Sequence, residues 1–202
     1  MSEPLYRSQN TSWHGHQKFA IDLVKTMKPR NIVELGVHKG DSYFSFCQGV
    51  KEADIPCWTF GIDTWKGDVH AGFYEEDVFE SVSSYNRQHY EEFSVLVRST
   101  FSEARQRFQT KSIDILHIDG LHTYEAVTQD FNEWKFALSD KGIILFHDIM
   151  VPHFGVNRLF EEQKHSFPHF SFEHSHGLGI LVMGKKVNTH KLEKLVKKHS
   201  NH

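Results

Sequence analysis

Residues 31–42, NIVELGVHKGDS, decide the fold. The apolar run at 31–35 is typical of a buried strand, and the pattern at 41–50, DSYFSFCQGV, is typical of a helix. Gly36 and Gly40 enclose the turn between them, where a missing side chain lets a ligand approach the backbone and the helix offers free N–H groups. The stretch therefore predicts a strand–turn–helix unit with a ligand site at its turn.

The alternation of strand and helix continues on both sides of this unit. A helical pattern at 19–27 precedes it, and Thr100 and Glu103 form a capping box that predicts the start of another helix. The run GIILFHD at 142–148 is apolar enough for a strand covered on both faces, as in a parallel sheet between layers of helices. Further strands are predicted at 58–63, 93–98 and 113–119, and further helices at 74–92, 124–138 and 157–164.

The end of the chain predicts a change of strand direction. Two strand patterns, HFSFEHSH at 169–176 and LGILVMG at 178–184, are separated only by the region of Gly177, and so short a link implies an antiparallel pair. We therefore predict a doubly wound, Rossmann-like open α/β sheet that is mostly parallel, with an antiparallel strand from the C-terminal hairpin. One domain is expected over residues 1–202, with a core at about 13–184 and a solvated basic tail at 185–202.

Composition and charge exclude several classes of function. A net charge of −3 provides no basic face for a nucleic acid. The polar N-terminus and the absence of a long apolar run argue against secretion and membrane insertion, so a cytoplasmic protein is expected. Cys47 and Cys57 are too few for a disulfide framework and are expected to be reduced packing residues.

Asp63 indicates that the glycine turn is a candidate nucleoside-binding site. It ends the predicted strand at 58–63, where a carboxylate can accept hydrogen bonds from both ribose hydroxyls. Glycines at such a turn are often only conformational, but the acid in the next strand favours a ligand site. The turn lacks the three-glycine spacing that places a pyrophosphate on a helix start, which argues against a dinucleotide.

Several blocks of sequence together resemble a known family. ELGVHKG at 34–40, GIDTW at 61–65, HIDGLHTYEAV at 117–127 and GIILFHD at 142–148 are similar to class I S-adenosylmethionine-dependent methyltransferases, in the glycosyltransferase-associated, small-molecule O-methyltransferase branch (methyltransferase family 24-like). The family often has a glycine where this chain has His38. The resemblance implies S-adenosyl-L-methionine as cofactor, with these contacts: Glu34, Gly36, Gly40, Ser42, Asp63, Thr64, Trp65, Ser99, Thr100, Phe101 and Asp119.

Polar residues at the ends of two predicted strands are expected to meet. Asp119 and His122 follow the strand at 113–119, and His147 and Asp148 end the strand at 142–148. One hypothesis is that the two acids cap the helices that follow them. The other is a divalent-metal site formed by Asp119, His147 and Asp148, because carboxylates with imidazole suit Mg²⁺ or Mn²⁺.

The acceptor is expected to be a small molecule or a saccharide. The segment 63–74, DTWKGDVHAGFY, combines aromatic and hydrogen-bonding side chains, as polyol recognition requires. It could equally be a surface loop. The residues of this segment expected to face the acceptor are Trp65, Asp68, His70 and Tyr74, and His174 and His176 at the hairpin are further candidates. Homo-oligomerisation is left open.

Together with these residues, the resemblance implies a methyltransferase that acts on a hydroxyl group of a sugar-like acceptor. The protein must align the acceptor oxygen with the methyl group and remove the acceptor's proton. A histidine with a pKa near 7 suits that task, and the candidates are His122, His147 and His176. Two alternatives remain: a metal-dependent hydroxylase, and a non-catalytic S-adenosylmethionine-binding partner of a glycosylation system.

Overall fold

The computed structural model describes residues 2–9, 12–69 and 72–200. The strands are β1 (Asn31–Leu35), β2 (Trp58–Asp63), β3 (Gly67–Asp68), β4 (Gly72–Phe73), β5 (Ser94–Arg98), β6 (Ile113–Ile118), β7 (Leu138–His147), β8 (His169–Phe172) and β9 (Leu178–Val182). The α-helices are α1 (Gln17–Met27), α2 (Asp41–Ala53), α3 (Glu76–His89), α4 (Phe101–Arg105), α5 (Tyr124–Trp134), α6 (Gly155–Gln163) and α7 (Thr189–His199).

One seven-stranded sheet has the order β5-β2-β1-β6-β7-β9-β8. Neighbouring strands from β5 to β7 are parallel, whereas β9 runs antiparallel to both β7 and β8. The chain moves outward from β1 through β2 to β5 and then returns to the other side of β1 with β6. This order confirms the doubly wound, mostly parallel Rossmann-like sheet and places its switch point between β1 and β6.

Helices cover both faces of the sheet because each turns an apolar stripe towards it. On one face α4, α5 and α6 bury residues such as Ala104, Phe131 and Leu159. On the other face α1 and α2 bury residues such as Phe19 and Phe46. Alternate residues of β7 belong to the two clusters, so this strand is shielded from water on both sides, which explains its apolar sequence.

The boundary between α5 and β7 differs from the prediction. The helix expected to reach residue 138 ends at Trp134, and a 3-10 turn at Lys135–Ala137 follows it. Leu138 pairs with Ile113 and so begins β7, with a register shift before the next pairs. Its apolar side chain continues the helical stripe in sequence, but the pairing with β6 assigns it to the sheet.

The basic C-terminal segment forms α7, which has a buried face. Leu192, Leu195 and Val196 lie in the same cluster as α1 and the sheet. Asp22 of α1 accepts hydrogen bonds from Lys198 Nζ at 2.7 Å and His199 Nε2 at 3.0 Å. The core therefore extends beyond residue 184, because the exposed lysines alternate with apolar residues at helical spacing.

Candidate functional site

A cavity of about 490 Å³ opens at the carboxyl ends of β2, β1, β6 and β7, next to the switch point. This is where open α/β sheets bind ligands. Six of the predicted cofactor residues line it: Gly36, Gly40, Ser42, Asp63, Phe101 and Asp119. The three histidines proposed as the general base, His122, His147 and His176, line it as well. The structure thus brings the two predicted sites together in one space.

The glycine turn after β1 has a conformation that only glycine accepts easily. Gly36 and Gly40 have φ values of 91° and 90°. A Cβ atom on Gly36 would lie 2.0 Å from the carbonyl oxygen of Asp119, which directly follows the neighbouring strand β6. The turn is therefore packed directly on the backbone after β6, and its open side forms one wall of the cavity.

His38, the departure from the family pattern, fits into this turn. It adopts a left-handed conformation with φ 50°, and its ring stacks on that of Tyr74, with centroids 4.6 Å apart and planes 11° apart. Both side chains line the cavity, as does Asp68. The strands β3 and β4, which form an antiparallel pair just before Tyr74, were not predicted. His70, expected to face the acceptor, lies outside the described residues.

Asp63 holds the turn as well as facing the cavity. Its Oδ2 accepts hydrogen bonds from the backbone N–H groups of Val37 and His38, both at 2.9 Å, and its Oδ1 accepts one from Trp65 N–H at 2.7 Å. The side chain also lines the cavity. A single carboxylate therefore fixes the loop and is available to a ligand's hydroxyl groups.

Two of the predicted cofactor residues lie behind the cavity wall. Trp65 is buried, and its indole Nε1 donates to the carbonyl of His38 at 3.0 Å, so it supports the turn. Glu34 is fully buried, accepts a hydrogen bond from Ser42 Oγ at 2.6 Å and lies 3.2 Å from His117 Nδ1. Burial raises the pKa of Glu34, and the nearby imidazole opposes this. Both residues position the loop from behind.

Three further predicted contacts, Thr64, Ser99 and Thr100, do not line the cavity. Thr100 forms the predicted capping box with Glu103 at the start of α4. This cap places Phe101, the first residue of that helix, at the cavity wall.

Four side chains from the ends of β6 and β7, here named the acid–histidine cluster, meet on the rim: Asp119, His122, His147 and Asp148. His122 Nε2 lies 2.8 Å from Asp148 Oδ2 and 3.6 Å from Asp119 Oδ1. His147 Nδ1 lies 3.4 Å from an oxygen of each acid. The expected convergence is therefore found. The capping hypothesis for the acids is wrong, because Thr123 and Phe154 occupy the N-cap positions of α5 and α6.

Strained backbone brings the C-terminal hairpin to this cluster. Ser175, His176 and Gly177 have successive positive φ values of 50°, 66° and 86°, and Asp148 has a φ of 64°. This arrangement lets His147 Nε2 donate to the carbonyl of Ser175 at 3.0 Å and places His176 Nδ1 3.3 Å from Asp148 Oδ1. Such strain persists only where the surrounding structure fixes it, and it is concentrated at functional sites.

Two residues that hold the cluster escaped the sequence analysis. The ring of Phe154 is stacked on that of His122, with centroids 4.3 Å apart and planes 9° apart. Trp13, from the segment before α1, lines the cavity and has its ring 5.9 Å from that of His147. Neither residue belongs to a strand end or a motif. His174 stacks on His16 beside the cavity rather than lining it.

The two acids set the charge of the imidazoles. Burial alone would lower the pKa of both His122 and His147, but Asp119 and Asp148 outweigh it and raise the pKa values to about 9 and about 10. The pKa of Asp148 falls to about 2, because hydrogen bonding to the imidazoles outweighs burial. Without another cation, both histidines are protonated at neutral pH, unlike the expected base with a pKa near 7.

The cluster has the donor set of a divalent-metal site. Asp119, His122 and Asp148 each offer one ligand atom, and these atoms all lie within 4.8 Å of one another. The predicted set contained His147 in place of His122. Two carboxylate oxygens with one imidazole nitrogen suit Mg²⁺ or Mn²⁺, so the residues fit such an ion.

The geometry agrees with a match to a known family. Residues 33–149, more than half of the chain, match a family model described as a methyltransferase domain. The chain belongs to this methyltransferase family. The matched range contains the glycine turn, Asp63 and the whole acid–histidine cluster.

The chain is similar to other proteins of known sequence and structure. It is 42 % identical over 189 residues to the uncharacterized protein y4gI of Sinorhizobium fredii; the match covers 93 % of the chain but 21 % of that curated relative, about a fifth of its length. Its fold is similar to that of the O-methyltransferase NovP, with a TM-score of 0.65 and 14 % identity over 84 % of this chain and 80 % of NovP. It is also similar to TomG from Streptomyces achromogenes, an O-methyltransferase in complex with SAM, with a TM-score of 0.62 and 14 % identity over 89 % of this chain and 92 % of TomG. The chain therefore has the class I methyltransferase fold.

No helix within residues 2–9, 12–69 and 72–200 of the methyltransferase has the length and apolar character needed to cross a membrane.

Proposed function

We propose that this methyltransferase binds S-adenosylmethionine beside the glycine turn and transfers its methyl group to a hydroxyl group of a small, sugar-like acceptor. The observation that carries the proposal is that one cavity is lined both by a nucleoside-type wall, formed by Gly36 and Asp63, and by the acid–histidine cluster. The methyl group needs an activated donor on one side and a way to remove the acceptor's proton on the other.

The residues of the cavity fit the cofactor. Gly36 lets the turn pack directly on the backbone of Asp119, which any side chain there would strike, and it lines the cavity. Asp63 presents a carboxylate suited to ribose hydroxyls, and Phe101 adds an aromatic ring to the wall. When bound, the cofactor's sulfonium supplies a methyl group that is already activated for transfer. The protein's own contribution is therefore alignment and control of the acceptor's proton.

The acid–histidine cluster also lies where the acceptor's proton has to be removed. Asp119, His122 and Asp148 would hold Mg²⁺ or Mn²⁺, and such an ion supplies a Lewis acid that lowers the pKa of a hydroxyl group. His122 would be one of the ligands of that ion, and His147 is held between both acids, which favours its protonated form. Neither imidazole would then be free to receive a proton. Of the two acids, His176 is paired with Asp148, and its side chain is 59 % exposed and lines the cavity. We therefore favour His176 among the histidines as the group that receives the acceptor's proton.

The walls of the cavity favour a polyol acceptor. Tyr74 and Phe154 offer aromatic surfaces, and Asp68 and Lys39 offer hydrogen-bonding groups. This combination of a few polar groups with aromatic side chains suits the apolar faces and hydroxyl groups of a sugar. Trp65, expected in this role, is buried beneath the turn.

A radiolabel transfer assay tests the proposal. The protein is incubated with S-adenosylmethionine labelled in the methyl group and with a panel of sugars and other polyols, with Mg²⁺, with Mn²⁺ or with excess chelator. We expect label in an acceptor only when the ion is present, and much less with Asp148→Asn. Asp140→Asn is the control, because Asp140 is an exposed partner of Lys186.

Each other outcome has a defined meaning. Full transfer in excess chelator would contradict the metal site. A product that requires oxygen and carries no label would favour the hydroxylase alternative, and cofactor binding without any product would favour a non-catalytic binding partner. If His176 receives the proton, His176→Ala lowers kcat by roughly 10²–10⁴ with cofactor affinity nearly unchanged.

A further inference from the structure

A tight turn just before α1 packs on the loop at 173–177, which connects β8 to β9. The backbone N–H of His16 closes the turn by donating to the carbonyl of Trp13 at 3.0 Å. A Cβ atom on Gly15 would lie 2.1 Å from Ser175 Oγ and 3.0 Å from His174 Nδ1. The φ of Gly15 is not in the left-handed region, so this glycine is needed for space rather than for conformation. The turn and the loop are therefore in direct contact.

His16 contacts the same loop through its side chain. The residue is fully buried, its Nε2 donates to the carbonyl of Ser175 at 3.3 Å, and its ring is stacked on that of His174. Burial, with smaller effects from His147 and His174, lowers the pKa of His16 to about 3, so the imidazole is neutral. Its Nδ1 is buried and has no hydrogen-bond partner among the described residues. An unpaired polar atom in the core lowers stability, so packing alone does not explain a histidine at this position.

On its other side the loop is hydrogen-bonded to the end of β7. The carbonyl of Ser175, which His16 contacts, also accepts a hydrogen bond from His147 Nε2 at 3.0 Å. The carbonyl of Gly177 accepts one from the backbone N–H of Asp148 at 3.0 Å. The loop therefore connects His16 to an acid of the acid–histidine cluster.

Asp148 needs this support because its backbone is strained. Its φ of 64° lies in the left-handed region, which is unfavourable for a residue with a side chain. Such a conformation persists only where the surrounding structure fixes it. Residues 175–177 of the loop also have positive φ values, so the loop in turn depends on contacts from outside. Gly15 and His16 provide such contacts.

We propose that Gly15 and His16 are positioning residues which, through the loop at 173–177, hold Asp148 in the geometry that binds a divalent ion. This inference rests on the metal site of the proposed function. Metal ligands are oriented by the residues behind them, and losing such a residue typically lowers metal affinity by about 10–100-fold. Neither Gly15 nor His16 lines the cavity, so their effect on the ion is transmitted through the loop.

Titration with Mn²⁺, followed by electron paramagnetic resonance of the free ion, tests the proposal without requiring an acceptor. The binding that is lost in Asp148→Asn defines the ion at the cluster. In His16→Leu, which cannot donate to the carbonyl of Ser175, we expect the Kd of this ion to rise at least about tenfold. His16→Gln keeps an N–H donor at the end of its side chain and should bind the ion nearly as tightly as the wild type.

Val24→Ala is the matched control for a general loss of stability. Val24 is a buried residue of the same helix, about 12 Å farther along α1 than His16. Its truncation should lower the melting temperature but leave the affinity for Mn²⁺ unchanged.

Two results would overturn the proposal. One is a folded His16→Leu variant with wild-type affinity for Mn²⁺, and the other is an equal loss of affinity in His16→Leu, His16→Gln and Val24→Ala. If His16→Leu fails to fold, Gly15→Ala, which crowds Ser175, should weaken Mn²⁺ binding instead, and wild-type affinity in that variant would contradict the role. A wild-type protein that binds no Mn²⁺ at the cluster would overturn the metal site of the proposed function, and this inference with it.

Discussion

At the scale of single residues, Asp63 both supports the glycine turn and faces the cavity in which we propose that the cofactor binds. It accepts backbone hydrogen bonds from Val37, His38 and Trp65 and faces the cavity. Asp63→Ala is expected to weaken S-adenosylhomocysteine binding by roughly 1.5–3 kcal/mol, a factor of about 10–100, and also to lower the melting temperature. Calorimetry and thermal unfolding measure the two effects. Asp140→Asn, at the surface beside Lys186, should leave both the affinity and the melting temperature nearly unchanged. Wild-type affinity in a folded Asp63→Ala variant would exclude the ribose role.

Asp130, a buried acid on α5, is expected to give the folded protein an unusual dependence of stability on pH. Its pKa is about 7 in the folded protein and about 3.9 in an unfolded chain. Between these two pKa values the folded state binds one more proton than the unfolded state. The stabilisation that this proton provides is therefore fully present below about pH 4 and is lost as the pH rises through about 7. Asp130→Asn should therefore be more stable than the wild type above neutral pH, by on the order of 2–4 kcal/mol, with the difference vanishing near pH 4. Melting temperatures of both proteins across this range measure the effect, and parallel curves would contradict it.

Some site residues can be predicted from sequence and others cannot. The carboxyl ends of parallel strands meet at one edge, so Asp63, Asp119 and Asp148 could be placed together from the pattern alone. Trp65 could not, because its left-handed φ of 51° is a tertiary feature that turns the ring beneath the loop. The high pKa of His122 also depends on two acids from different strands, and no local pattern contains that information.

At the scale of elements, periodicity predicted the helices and strands that bury a long apolar face. It missed β3 and β4, because each has two residues and their pairing depends on positive φ values at Gly67 and Gly72. It also extended α5 to Leu138, because an apolar residue at helical spacing can equally begin a buried strand.

The terminal helix α7 is expected to stabilise the domain. Leu195 is 6 % exposed and packs in the cluster shared with α1, so Leu195→Ala should cost about 2–5 kcal/mol of unfolding free energy. Lys194 is exposed on the same turn, and Lys194→Ala should change stability by less than about 0.5 kcal/mol. Denaturant unfolding measures both variants. Equal, small effects would mean that the segment is the solvated tail expected from its charge.

At the scale of the whole molecule, the two parts of the sheet make different contributions to one cavity. The parallel strands β2 and β1 provide the glycine turn and Asp63, whereas β6 and β7 provide the acid–histidine cluster. The antiparallel hairpin of β8 and β9 adds His176 and the carbonyl of Ser175. Its reversed direction places the loop between the two strands beside the end of β7.

The most direct test is calorimetric titration of the wild type, Gly36→Ala and Gly72→Ala with S-adenosylhomocysteine. The two glycines have similar φ values, 91° and 82°, but a Cβ atom on Gly36 strikes the Asp119 carbonyl at 2.0 Å, whereas one on Gly72 meets none of the described residues within 4 Å. The strain of a positive φ is thus matched, and only the turn at the cavity is disturbed. We predict that the wild type and Gly72→Ala bind the ligand and that Gly36→Ala binds it at least about 100-fold more weakly, a loss of about 2.7 kcal/mol. Equal binding by a folded Gly36→Ala variant, or no wild-type binding at millimolar ligand while NAD binds instead, would contradict the cofactor site.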